Sequence, residues 1–295
     1  LKMKNINYFV LAILSIVSLD AFAQRGIDGT PTISAANTIV NEYTTLSADA
    51  AVGATTISVA ASGLNANSRF GAGNSLAAGD LIMIIQMQGA SSSSTFSAEF
   101  PAGSGEFYGF PNDKTWGVVT GYNNCGNYEF AEVKSVPSTT SIELVCGLSY
   151  GYTTSGRTQV IRVPRYAALT LSGAGTISGQ AWAATGNTGG VVAIEVLGNV
   201  TINNAGGITA NSLGFRGGSV TGDNNSGLGG GQVARNNNNE GSEKGEGIFG
   251  YQADYNVFGG RYCRGAAGNA GGGGDAHNSG GGGGANAGNP AILWD

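Results

Sequence analysis

The sequence predicts an all-β fold, a small β-barrel or sandwich followed by a short parallel β-helix with Gly-rich loops. Three observations carry this expectation. LTLSGAGTISG from Leu169 recurs without a gap as VTINNAGGITA from Val200, an offset of 31 residues (169 to 200) that sets Thr170 on Thr201, Gly175 on Gly206 and Ile177 on Ile208. Self-similarity at a fixed step of this size marks a stacked array. Ahead of the repeat, short segments that alternate apolar and polar residues follow one another at hairpin spacing, the pattern of a small barrel. Charged residues make up only 11% of the chain and glycine contributes 52 of 295 residues, against roughly 25% charge in ordinary soluble proteins. Polarity therefore comes from Ser, Thr and Asn, which suits an extracellular β-rich surface.

The elements follow in order. Lys2 and Lys4, the apolar run Tyr8–Leu19 and Ala21-Phe22-Ala23 read as a signal peptide over residues 1–23, cleaved before Gln24. Its apolar run is shorter than the ~20 residues a membrane span needs. No later segment spans, so the expected location is exported, at the cell surface or outside a Gram-negative cell.

Residues 24–165 are expected to form the barrel-like domain. Gln24–Asn37 reads as a polar leader with turns at Asp28-Gly29 and Thr30-Pro31. The strands expected are Thr55–Ala60, Leu81–Gln88, Val118–Tyr122, Tyr128–Val136, Ile142–Cys146 and Gln159–Val163. Between them, residues 89–116 form a long loop carrying Phe107, Tyr108, Phe110 and Trp116. A loop of this length is functional or self-packed. Its aromatics make a ligand platform for sugars, or else pack the loop onto the barrel.

Pro164 cannot donate to a ladder, so VIRVPRY marks a junction. Residues 166–222 are then the β-helix. Within it Val191–Leu197 reads as a buried strand, with Glu195 on the solvent face. Residues 223–295 are Gly/Asn-rich, and the run Ile292-Leu293-Trp294-Asp295 reads as the interior of a larger polypeptide.

The three cysteines are Cys125, Cys146 and Cys263. Export permits disulfides, and Cys125 with Cys146 is the obvious pair. The hairpin Tyr128–Cys146 sets Cys146 opposite about residue 130, leaving Cys125 roughly 16 Å further along at strand rise. A bridge forms only if residues 123–127 fold back, because bridged Cα atoms lie within about 7 Å.

Catalytic chemistry is sparse. The sole histidine, His277, lies between poly-Gly runs, and no Cys/His spacing suggests zinc. Polysaccharide-cleaving β-helices need clustered acids on one face, yet residues 166–222 hold only Glu195 and Arg216. Asp223, Glu240, Glu243 and Asp275 offer hard oxygens for calcium. Lys244 dilutes that charge and no EF-hand loop is present, so solvated loops are the better reading, and no catalytic residue or other cofactor is expected. A net charge of −5 without a basic stripe argues against nucleic acid or an anionic membrane as partner.

GDLIMIIQMQGA, NYEFAEVKSV with SIELVCGL, and VIRVPRY leading into LTLSGAGTISG together resemble the N-terminal region of giant secreted surface proteins of gliding Bacteroidetes. These are the SprB-type gliding-motility adhesins exported by the type IX secretion system. The resemblance covers roughly Asn37 to Gly288. It implies a non-enzymatic cell-surface module of a large adhesin used in attachment or gliding motility. Its partners would be the rest of that polypeptide, surface glycans or the motility machinery. The alternative is a carbohydrate-binding or carbohydrate-cleaving β-helix protein.

Overall fold

The computed structural model describes residues 25–92, 119–182, 187–203, 207–218 and 245–258. The signal peptide, the aromatic loop residues Phe107, Tyr108, Phe110 and Trp116, the calcium candidates Asp223, Glu240, Glu243 and Asp275, and Cys263 and His277 lie outside the described residues. The fold is all-β. Its strands are β1 (Thr32–Ile33), β2 (Thr38–Ile39), β3 (Glu42–Thr45), β4 (Thr56–Ser58), β5 (Leu81–Gln86), β6 (Ser91–Ser92), β7 (Val119–Gly121) and β8 (Tyr128–Ser138). There follow β9 (Ser141–Leu144), β10 (Thr158–Val163), β11 (Arg165–Tyr166), β12 (Leu169–Leu171), β13 (Ile177–Ser178), β14 (Glu195–Val196), β15 (Val200–Ile202) and β16 (Ile208–Thr209). A 3-10 helix, Gln252–Phe258, comes last.

The barrel is one antiparallel sheet in the order β3-β10-β5-β8-β9-β4. It closes on itself through the Leu46–Val59 bridge and the bonds Ala60 N–H to Thr45 O and Ser47 N–H to Ser58 O, both 2.9 Å. Strand alternation sends Ile57, Ile82, Ile84, Val133, Ile142, Leu144 and Val160 into its interior. Closure removes the free edges that an open sheet would present.

The repeat stacks as its sequence alignment requires. Parallel pairing sets Leu169, Thr170 and Leu171 on Val200, Thr201 and Ile202, and Ile177 and Ser178 on Ile208 and Thr209. Leu169, Leu171, Ile177 and Val40 form the β-helix core with Tyr166. Gly175 is required by close approach, since a Cβ there would stand 2.0 Å from Ile33 O of the neighbouring coil.

That neighbour corrects the reading of Gln24–Asn37 as a leader. Thr32 and Ile33 pair in parallel with Thr170 and Leu171, and Thr38 and Ile39 with Ile177 and Ser178. These residues are the first coil of the β-helix, and the barrel strands are inserted between that coil and the second. Asn37, with φ of 56°, supplies the left-handed corner, a conformation Asn tolerates better than most residues.

Val191–Leu197 also differs from expectation. Only Glu195–Val196 is strand. Apart from Glu195, the run is apolar because it is sandwiched. Val191 and Ala193 pack on the outer barrel face with Met83, Ile161 and Val163, while Val192, Ile194 and Val196 face the β-helix core. Buried Asn41 stitches the two bodies together, donating to Arg162 O (3.0 Å) and Ala193 O (2.6 Å) and accepting from Ala193 N–H (3.1 Å). Glu195 is not a free surface acid, because its carboxylate holds the buried Arg165 at 2.6 Å.

Cys125 and Cys146 are free thiols. Cys125 is buried beside Ala90, Phe249 and Tyr255 and donates to Met87 O (3.3 Å). Cys146 is exposed beyond β9, where the hairpin register runs through Val145 N–H to Glu132 O (3.0 Å). The turn at Cys125 therefore folds onto the barrel end, not back along β8. Dithiothreitol is expected to leave the melting temperature unmoved in a thermal scan, whereas losing a native disulfide costs about 2–5 kcal/mol.

Candidate functional site: a cleft at the barrel and β-helix junction

A cleft of about 560 Å³ opens where the inserted barrel meets the first coil, a size within the range of small-ligand sites, which favour domain junctions. Three pieces of chain build it. The turn at Ile27-Asp28-Gly29 closes through Gly29 N–H to Gly26 O (3.1 Å) and leads into β1 and β2. The barrel loop supplies Arg69, Phe70 and Asn74, and the strand linker supplies Pro164 and Tyr166.

The barrel loop is held firmly by local bonds. Asn65 accepts from Phe70 N–H (3.1 Å) and donates to Gly71 O (2.7 Å), while Asn74 donates to Phe70 O (2.9 Å). Buried Glu42 on β3 accepts from Asn67 N–H (2.9 Å) and the Asn67 side chain (2.8 Å), and lies 3.8 Å from Arg69 Nη1. That nitrogen also donates to Asn41 O. Arg162 stacks its guanidinium 3.9 Å above the Phe70 ring, a cation–π contact that fixes the ring. It also bonds Asp80 (2.9 Å) and Asn74 O (2.7 Å). Burial pushes the Asp80 carboxyl up, partly opposed by the Ala77 N–H and by Arg162.

Asp28 accepts from Arg165 N–H (2.7 Å) through one carboxylate oxygen. Tyr166 is buried, and burial together with the Asp28 charge pushes its hydroxyl up to about 12. Across the physiological range the phenol thus keeps its proton and serves as a donor. The lining charges, Asp28 and Arg69, cancel. The cleft therefore offers a carboxylate acceptor, a guanidinium donor, a phenol and an amide beside two aromatic rings. That set matches a neutral, hydroxyl-rich ligand with one apolar face.

None of these residues was singled out by the sequence as a site. Asp28 stood in a leader turn and Tyr166 in a linker. The signal available was the placement of scarce charge, since Arg162 and Arg165 flank Pro164 within an otherwise apolar stretch.

A second polar centre is structural. Buried Glu246 accepts from Arg216 Nε (2.7 Å), Arg216 Nη2 (3.1 Å), Arg157 Nη1 (3.1 Å), Trp182 Nε1 (2.9 Å) and Gln88 Nε2 (2.9 Å). With its oxygens saturated it clamps the segment 245–258 to both barrel and β-helix. Burial would raise its carboxyl, but the Arg216 and Trp182 bonds outweigh that and hold it below the usual range. Among the described residues there is no group of three or more His, Cys, Asp or Glu side chains that could hold a metal ion.

No family model matches the chain, and the comparison with curated proteins finds no match. Solved structures similar to it include the Gp54 tailspike of Acinetobacter baumannii bacteriophage AP22 in complex with A. baumannii capsular saccharide. That likeness has 14% identity and a TM-score of 0.24, over 50% of this chain and 17% of that one. The Pseudomonas phage phi297 tailspike gp61 is similar at 17% identity and TM-score 0.24, over 52% and 22%. The Pseudomonas phage LKA1 tailspike gp49 is similar at 18% and 0.22, over 52% and 27%. The chain thus spans about a quarter or less of the length of these tailspikes. What stands established is the architecture, an all-β chain in which a closed barrel interrupts a parallel β-helix.

Proposed function

We propose that this chain is a non-enzymatic, carbohydrate-binding module of an exported surface protein, and that the junction cleft holds a neutral sugar unit. The observation that carries the reading is that Asp28 and Arg69 line one cleft together with the aromatic rings of Phe70 and Tyr166. Vicinal hydroxyls bridge a carboxylate and a guanidinium, while the apolar face of a pyranose lies on an aromatic ring. Binding is favoured over cleavage because the carboxylates near the junction are already engaged. Glu42 holds Asn67 and Arg69, Asp80 holds Arg162, and Glu195 holds Arg165. The cellular role we propose is surface attachment or gliding, with this chain as part of a larger adhesin that grips glycans.

A glycan array followed by calorimetry tests this. The wild-type chain is expected to bind neutral oligosaccharides. Asp28→Asn and Tyr166→Phe, which preserve shape, should each weaken binding about tenfold, equivalent to about 1.4 kcal/mol. Equal binding by both variants would remove the cleft from the account. Release of reducing ends by the purified chain would replace a binding module with an enzyme.

A further inference from the structure

Two buried side chains outside the junction cleft support part of its lining. Alternation along β10 puts Val160 in the barrel interior and Ile161 and Val163 on the outer face, so Arg162 lies on the interior side with Val160. It stands near the end of the sheet, opposite Glu42 and Ile82 at the starts of β3 and β5. Arg162 is only 4% exposed, and a charge so buried must be held by partners. Asp80 meets Nη2 (2.9 Å), Asn74 O meets Nη1 (2.7 Å), and the Phe70 ring lies 3.9 Å from the guanidinium carbon. Its buried Nε meets no acceptor, which is uncommon for a buried donor. The side chain is thus placed to grip Phe70 and Asn74 rather than to complete its own bonds.

Asp80 fixes that placement. The turn before β5 pins its carboxylate, where Oδ2 accepts from Ala77 N–H (2.8 Å) and Asp80 N–H donates to Ala77 O (3.2 Å). Phe70 and Asn74 both line the cleft, whereas Arg162 and Asp80 do not. The bonds of Asn65 and Asn74 hold the backbone of the loop. The half-buried Phe70 ring itself is met by Arg162.

We propose that Asp80 and Arg162 are positioning residues of the cleft: Asp80 holds the guanidinium against Phe70, and the ring so held is the surface on which the sugar lies. That role rests on the cleft's being a sugar site, as proposed above. It also ties binding to acidity. Burial pushes the Asp80 carboxyl above its ordinary value; the Ala77 N–H, Arg162 and Arg165 oppose the rise and Asp28 adds to it. Arg162 in turn faces Asp80, Asp28 and Glu42. On acidification Asp80 takes up its proton before an ordinary aspartate does at about 3.9. Neutral Asp80 no longer holds the guanidinium by charge, and the Phe70 ring loosens.

Calorimetry with a neutral oligosaccharide from about pH 7 to about pH 4.5 tests this. Wild-type affinity is expected to fall about tenfold across that range. Arg162→Met, which keeps the length of the side chain, should bind about tenfold more weakly than wild type at pH 7 and show a flatter profile. Asp28 and Glu42 are present in both proteins, so the difference between the profiles belongs to the Asp80 and Arg162 pair. Parallel profiles, or equal affinity at pH 7, overturn the proposal. Should Arg162→Met not fold, Asp80→Asn takes its place, since the amide keeps an acceptor for Ala77 N–H; its profile should be flat, and a profile parallel to wild type overturns the proposal. A wild-type chain that binds no neutral sugar at any pH removes the sugar site, and with it the positioning of a ligand. NMR of the ligand-free chain separates that failure from a failure of the pair. Phe70 ring signals that move on acidification in wild type but not in Asp80→Asn support the hold of Asp80 on the ring, and stationary signals overturn it.

Discussion

Glu246→Ala is expected to lower the melting temperature by on the order of 10 °C, because breaking a buried ion pair costs about 3–5 kcal/mol and each kcal/mol is worth about 2–4 °C in a chain of this size. The substitution strands four donor groups at once: the guanidiniums of Arg216 and Arg157, the Trp182 indole and the Gln88 amide. It also frees the segment 245–258, whose Phe249 and Tyr255 cover Ala90 and Cys125. The indole makes the loss visible, since Trp182 fluorescence should shift before the barrel melts. The same carboxylate sets an acid limit. Its folded pKa lies below its ordinary value, so its stabilisation is fully present above the usual Glu pKa of about 4.3. That stabilisation fades as pH falls through the folded value. In a pH series of thermal scans, wild type should lose stability below about pH 4 more steeply than Glu246→Ala. Parallel curves would show that Glu246 is not the clamp described.

Arg165→Ala is expected to cost about 3 kcal/mol or more, read as a shift in the urea midpoint. Arg165 is buried and its fork reaches three parts of the molecule. Nε donates to Glu195 of the β-helix (2.6 Å), and Nη1 donates to Gly79 O (2.8 Å) and to Glu132 of the barrel (3.4 Å). Arg165→Lys should recover less than half of the loss, because an ammonium cannot reproduce the fork. The double substitution Arg165→Met with Glu195→Leu should come closer to wild type than Arg165→Ala, since it removes the orphaned charge along with its partner. If the double variant were worse than Arg165→Ala, packing and not charge would dominate at this joint.

The repeat at Leu169 and Val200 was legible because stacking demands the same residue type at each step, and the barrel strands were legible because alternation survives in short runs. The first coil was missed for a topological reason. TISAANTI from Thr32 matches TLSGAGTI from Thr170, but the inserted barrel separates them and destroys any short fixed period. The apolar run Val191–Leu197 carried no information on which body it served, since it faces both. The role of Glu195 was invisible for the same reason, because its partner Arg165 comes into place only when β11 pairs with β14. The junction cleft was illegible because its walls are distant in sequence and its polar residues stand in turns, where Asp and Asn are ordinary. The aromatic loop residues and calcium candidates named from the sequence lie outside the described residues, so the site proposed here rests on different side chains.

Side-chain NMR of the chain titrated with a neutral oligosaccharide tests most directly whether the junction cleft holds a neutral sugar. The Tyr166 ring and Arg69 guanidinium signals are expected to move together and saturate on one binding curve, while the Trp182 indole N–H, held by Glu246, stays in place. Stationary Tyr166 and Arg69 signals alongside movement elsewhere would contradict the account.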